Sequence, residues 1–230
     1  MSLFAISFGR RVTSRRAYLA AVGAVSGVAS LAGCLDIIGG GPATFEASPS
    51  RVSQPVLDET GYSFDGLTEE VTEEEFSAGG QSRTVEVTNK LTTYDRTVNL
   101  GPLGERVGAI FAAVTTPQVT VLGREFNPVE KMSTTELATM IQDQFLGIEN
   151  LQQEDERSVT IDGEQTTATK FRADAGYDGS PIKLNLYVSE ATEMGGDFLV
   201  TVGVYPELLF GEGGRIRSLM QGVEPGAPEE

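Results

Sequence analysis

Hydrophobic and polar positions are most regular in the last third of the chain. Across residues 181–190, Ile182, Leu184, Leu186 and Val188 alternate with Lys183, Asn185 and Tyr187, the two-residue period of a strand with one face turned inward. After Gly195-Gly196, residues 197–205 repeat that period with Phe198, Val200, Val202 and Val204. Upstream, residues 158–161 run into Asp162-Gly163, a hairpin signal, and residues 164–173 return as a strand. These segments predict an antiparallel meander with one face on a core. Earlier in the chain, Val85 and Val87 alternate within residues 83–91, and β-prone residues continue to position 100, as one long strand or a hairpin. Residues 107–115 form a continuous apolar run suited to a strand buried on both sides, and residues 118–122 a further short strand. Residues 50–60 read as irregular or briefly helical.

A different period marks two helices. Ser133-Thr134-Thr135-Glu136 is a capping box, in which hydroxyl and carboxylate satisfy orphan amide donors, so a helix begins at Thr134. Leu137, Met140, Ile141 and Phe145 form its apolar stripe, which ends near Gly147. Ile216, Leu219 and Met220 face inward from a final helix over residues 213–223. The expected fold is α+β: an antiparallel meander covered by the capped helix and the C-terminal helix, a single domain over residues 45–223. The acidic, proline-containing tail 224–230 is expected to be loose.

The N-terminus has another character. Residues 1–33 hold Arg10, Arg11, Arg15 and Arg16 and no acid. Behind Arg15-Arg16 runs an uncharged Gly/Ala/Val-rich stretch, residues 17–32, shorter than the roughly 20 residues a spanning helix needs. A twin-arginine pair before a mildly apolar run reads as a Tat-type export signal over residues 1–33. Leu31-Ala32-Gly33-Cys34 resembles the lipobox of bacterial and archaeal lipoproteins, which implies lipid on Cys34, the chain's single cysteine. Residues 34–44, with Gly39-Gly40-Gly41-Pro42, read as a flexible tether. The expected location is the extracellular face of the cell membrane, with the membrane, the Tat export machinery and an unidentified membrane or cell-surface protein as partners.

Composition narrows the chemistry. The chain has no histidine, no tryptophan and one cysteine, which excludes a Ser-His-Asp triad, an imidazole metal ligand, a thiolate zinc site and an internal disulfide. Residues 34–230 carry 13 basic and 33 acidic groups, a formal charge of −20. Such a charge self-repels in dilute buffer and is screened within about 3 Å at 1 M salt; with only four lysines, it points to a secreted protein of a halophilic archaeon. Nucleic acid is excluded as a partner, since phosphate binding needs a basic face.

Candidate sites are few. Asp174 and Asp178 flank Gly176 in D-A-G-Y-D-G, read as a solvated turn; the acids Glu69, Glu70, Glu73, Glu74, Glu75, Glu154, Asp155 and Glu156 read as a salt-adapted surface. No Gly-x-Ser-x-Gly, Ser-x-x-Lys, Gly-x-Gly-x-x-Gly or P-loop pattern occurs, and Gly211 to Gly214 reads as a helix start. Arg124, Phe126 and Asn127, in the segment 123–128, form the candidate functional loop. No metal and no cofactor is expected. In order and turn chemistry, residues 128–223 are similar to the PsbP/Mog1-like fold, which implies a topology and no activity. The segments Leu57-Asp58-Glu59-Thr60-Gly61-Tyr62, Thr116-Pro117-Gln118-Val119 and Gly123-Arg124-Glu125-Phe126-Asn127-Pro128, with the export segment, resemble secreted halophilic archaeal lipoproteins of unknown function. The expected role is a non-enzymatic binding or assembly module. The rivals are an extracellular carboxylate-dependent hydrolase, with paired acids in a cleft, and a solute-capture lipoprotein of a transport system.

Overall fold

The computed structural model describes residues 43–229 apart from 79–80, 100–104, 122–123, 126, 145–146 and 178–179. The export segment, the lipobox with Cys34, and Phe126, Phe145 and Asp178 therefore lie outside the described residues. Among those described, no helix is long and apolar enough to cross a membrane.

The meander expected from the alternating segments is present. Strands β1 (Ala43–Glu46) and β2 (Ser50–Val52) precede helix α1 (Gln54–Thr60), and β3 (Ser63–Ala78), β4 (Gln81–Asn99) and β5 (Glu105–Pro117) follow as an antiparallel run. Two short strands, β6 (Thr120–Val121) and β7 (Arg124–Glu125), and a 3-10 turn at Pro128–Lys131 lead to helix α2 (Thr134–Gln144). The second meander is β8 (Ile148–Ile161), β9 (Glu164–Tyr177), β10 (Ser180–Ser189), β11 (Thr192–Met194) and β12 (Asp197–Pro206), closed by helix α3 (Glu212–Gln221) and β13 (Val223–Pro225). The two meanders join where β12 pairs antiparallel with β5, which makes one sheet in the order β1-β4-β5-β12-β10-β9-β8. Asp162 (φ +47°) and Gly163 (φ +82°) supply the paired positive φ that a two-residue hairpin needs between β8 and β9.

Several expectations change. The sheet is mixed rather than antiparallel, because β1 pairs parallel with Val85–Thr88 of β4. It takes up the flank of β4 where β5 leaves at Lys90. Ala43 and Thr44, expected in the tether, therefore belong to a strand. The segment expected as one long strand or a hairpin is a single strand, Gln81–Asn99, and the acidic run 69–75 lies in a sixteen-residue partner strand that repeated glutamates hid from the hydrophobic pattern. The short strand expected over 118–122 is two residues long and stands apart from the main sheet. The first residues after α3 continue the fold. Val223–Pro225 pairs with β2, and the Gly226 N–H donates to the Pro49 carbonyl at 3.0 Å.

The largest correction concerns the core. Both faces of the sheet are covered, and every residue of β12 is buried. Leu137, Ala138 and Ile141 of α2 pack with Phe171, Leu184, Leu186, Val188, Val200, Val202 and Val204 on one face. Ile216, Leu219 and Met220 of α3, with Leu57 of α1, pack with Tyr94, Phe111, Leu199 and Tyr205 on the other. The two expected helices thus sit on opposite sides of the sheet. The α2 stripe centres on Leu137, Ala138 and Ile141, so Met140 lies at its border and is 40 % exposed. Its start is as read: the Ser133 N–H donates to Glu136 Oε2 at 2.8 Å, and the Glu136 N–H to Ser133 Oγ at 3.3 Å.

Candidate functional site

The residues singled out in the sequence do not converge. Arg124 lies in β7, paired with Val121 of β6. Asn127 is consumed by the fold, since its Oδ1 accepts the Val119 N–H at 2.8 Å and pins the segment that follows β5. Four of these acids meet a cation among the described residues: Glu69 meets Lys90, Glu154 meets Lys170 and Arg172, Asp155 meets Arg157, and Asp174 meets Lys183 while also accepting from the Asn150 amide. Among the described residues, no three His, Cys, Asp or Glu side chains group closely enough to hold a metal ion.

Among the described residues, ionisable side chains are buried at three places, Lys90, Glu212 and Asp197. Lys90 is buried in β4 between Glu46 of β1 (2.6 Å) and Glu69 of β3 (2.5 Å). Burial alone would pull its ammonium down; the hydrogen bonds to the two carboxylates outweigh it and raise the pKa. A lysine held so firmly protonated is a clamp rather than a nucleophile. Glu212, at the start of α3, is fully buried and accepts the Tyr62 hydroxyl at 2.8 Å, both Arg96 Nε (3.0 Å) and a terminal Arg96 nitrogen, and Arg215 at 3.4 Å. Its hydrogen bond and charge push Arg96 further up, and burial followed by the Glu212 charge pushes Tyr62 up. Every group in this cluster has a partner, as a structural network requires.

Two carboxyls rise above the ordinary range. Asp197 does so through burial, partly offset by bonds from Ser48, and Asp95 through burial and the neighbouring Asp65. Asp95 pairs across from Ile110 and Asp197 across from Pro117, seven positions apart on β5. At about 3.3 Å per residue that separation is roughly 23 Å. A glycosidase pair needs about 5–10 Å.

Two cavities lie elsewhere, both against the β2–β13 ribbon, and share Ser53 and Glu224. One, of about 400 Å³, is bordered by Thr160, Asp162 and Gly163 of the β8–β9 hairpin and by Gln221 to Glu224. The other, of about 370 Å³, has Val52, Leu57, Phe64 and Tyr94 for its floor and Arg51 at its rim. Tyr94 is locked below it, its hydroxyl accepting the Val52 N–H at 2.8 Å. Sequence reasoning missed this place, because Phe64, Tyr94 and the tail come together only through strand pairing. An arginine beside Val52 and four residues before Pro55, in a chain of net negative charge, was the available signal.

A mixed sheet between helices defines an α+β domain. The chain belongs to the DUF6517 family, a domain of unknown function, whose model matches residues 49–224. No curated protein matches the chain.

Proposed function

We propose that this chain is a non-enzymatic binding module held at the outer face of a halophile's cell membrane by lipid on Cys34. The observation that carries the reading is the lone cysteine in Leu31-Ala32-Gly33-Cys34 behind a twin-arginine export segment. The fold is compatible with a short anchor: nine residue steps separate Cys34 from the first strand residue, Ala43, a span of at most about 30 Å. Lys90 holds that strand to the sheet through Glu46, so a pull on the tether is met by the body of the domain. Lasting attachment calls for a double-chained lipid, since one chain binds marginally. Two further observations favour binding over catalysis: the raised carboxyls stand strands apart, and the buried lysine is firmly protonated.

The test is expression of the wild-type chain and Cys34→Ser in a halophilic host, followed by fractionation and mass analysis. Wild type is expected in the membrane with a lipid adduct at Cys34, and Cys34→Ser in the medium or as an uncleaved precursor. A cytosolic wild-type chain with its leader intact and a free thiol overturns the reading. Turnover of a glycan or ester in high salt, abolished by one Asp or Glu substitution, would favour the hydrolase instead.

A further inference from the structure

The 370 Å³ cavity is of a size that takes small organic ligands. Its lining combines apolar Leu57, Phe64 and Tyr94 with Arg51 and the two carboxylates that pair with it, Glu224 and Glu229. Phe64 and Tyr94 stand edge to face with centroids 5.9 Å apart. Arg51 Nε donates to Glu224 Oε1 at 2.9 Å, within the β2–β13 ribbon. Its Nη1 donates to Glu229 Oε1 at 3.3 Å.

These two carboxylates are held differently. Glu224 is fixed in β13, next to Val223, whose backbone pairs with Val52. Glu229 arrives on a strap that turns over Arg51 at Gly226, where φ is +128°, a value side-chain-bearing residues rarely adopt. A Cβ at Gly226 would sit 3.6 Å from Arg51 Nε, so the strap crosses directly over the guanidinium. Pro228 lines the cavity beyond it. The Glu229 side chain is 77 % exposed, and an exposed pair of this kind is weakly held. A ligand carboxylate in its place keeps the Arg51 guanidinium paired and releases the Glu229 side chain to water.

We propose that this cavity binds a small monocarboxylate with an aromatic or aliphatic body. The ligand carboxylate takes the terminal nitrogens of Arg51, where a planar fork suits it, and its apolar body lies over Phe64 and Leu57. Glu229 is the occupant it displaces, so the strap both covers the site and sets its affinity. This inference deepens the binding reading above and is independent of the anchor.

The experiment uses the full chain in high salt with 3-phenylpropionate, its binding followed by ligand-observed NMR and equilibrium dialysis. Wild type is expected to bind, and 3-phenylpropanol, which lacks the carboxylate, to bind at least tenfold more weakly. Glu229→Gln should tighten binding about two- to fivefold by removing the competitor. Arg51→Gln should abolish it, and Arg51→Lys, which keeps the charge without the fork, should retain a weakened form. Phe64→Leu tests the floor without touching the ion pairs, and weaker binding is expected. No binding by wild type and Glu229→Gln alike overturns the proposal, as does equal binding of the acid and the alcohol. Neither result touches the lipid anchor, which Cys34→Ser tests separately; a Cys34→Ser chain that binds 3-phenylpropionate like wild type supports the site.

Discussion

Glu212 is a carboxylate with no access to solvent, and its ionised form is tolerable only because Arg96 meets it through two nitrogens and Tyr62 through a third donor. Removing it leaves a desolvated guanidinium without its counter-charge. Glu212→Ala is therefore expected to lower stability by about 3–5 kcal/mol in chemical denaturation, and a loss below about 1 kcal/mol would show the pair to be dispensable. This cluster was invisible in the sequence, because Tyr62 and Arg96 lie 150 and 116 positions from Glu212. The Ser133–Glu136 cap was readable because its partners are three residues apart. Asp197 makes a prediction about pH. Its native pKa is raised by burial, so the folded state holds this proton more tightly than the unfolded chain. The associated stability is complete below the unfolded value near 3.9 and is lost as pH rises through the folded value. Asp197→Asn keeps an oxygen for the Ser48 N–H and removes the titration. Between about pH 3.5 and 6 its melting temperature should therefore gain on wild type, and parallel curves for the two proteins would contradict this.

At the scale of elements, α3 lies on β12 at Gly203, where an added Cβ would meet Ile216 Cγ2 at 2.5 Å. Gly203→Ala should cost about 1–3 kcal/mol through overpacking, and pairing it with Ile216→Val should recover part of the loss in a double-mutant cycle. Equal, additive costs would show that the helix shifts freely. The β12 strand also explains a partial reading of the sequence. Its Phe198, Val200, Val202 and Val204 alternation was plain, but Leu199, Thr201, Gly203 and Tyr205 form a second buried face that needs no strong hydrophobic signal, since Gly203 is chosen for closeness to a helix. The β1 strand was unreadable for a related reason: Ala43–Glu46 is too short to show a period, and its parallel register rests on the remote Val85–Thr88 and on Lys90. Glu46→Gln is expected to speed amide exchange at Ala47, whose N–H donates to the Thr88 carbonyl, while β10 amides stay protected. Uniform protection in both would show that Lys90 does not hold the strand.

For the molecule as a whole, the charge of −20 over residues 34–230 dominates. Self-repulsion opposes the compact state and fades as salt shortens the screening length. The melting temperature is expected to climb steadily from about 0.1 M to about 3 M salt, over which screening changes severalfold; a flat profile would refute this. The overall class, α+β with a meander and two of its three helices, was legible because it rests on local periods and caps. The layering was not, since which helix covers which face depends on the pairing of β5 with β12, which stand far apart in the chain.

The long β3 strand has its only neighbour in β4 among the described residues, so a sixteen-residue border of backbone donors and acceptors stands open. Such a border invites identical molecules to stitch together. Glu69, Glu70, Glu73 and Glu75 lie exposed along it, and a second copy approaching would bring its own row of anions against them. Crowded at a surface, these molecules would stay separate by mutual refusal, a safeguard that concentrated brine itself weakens.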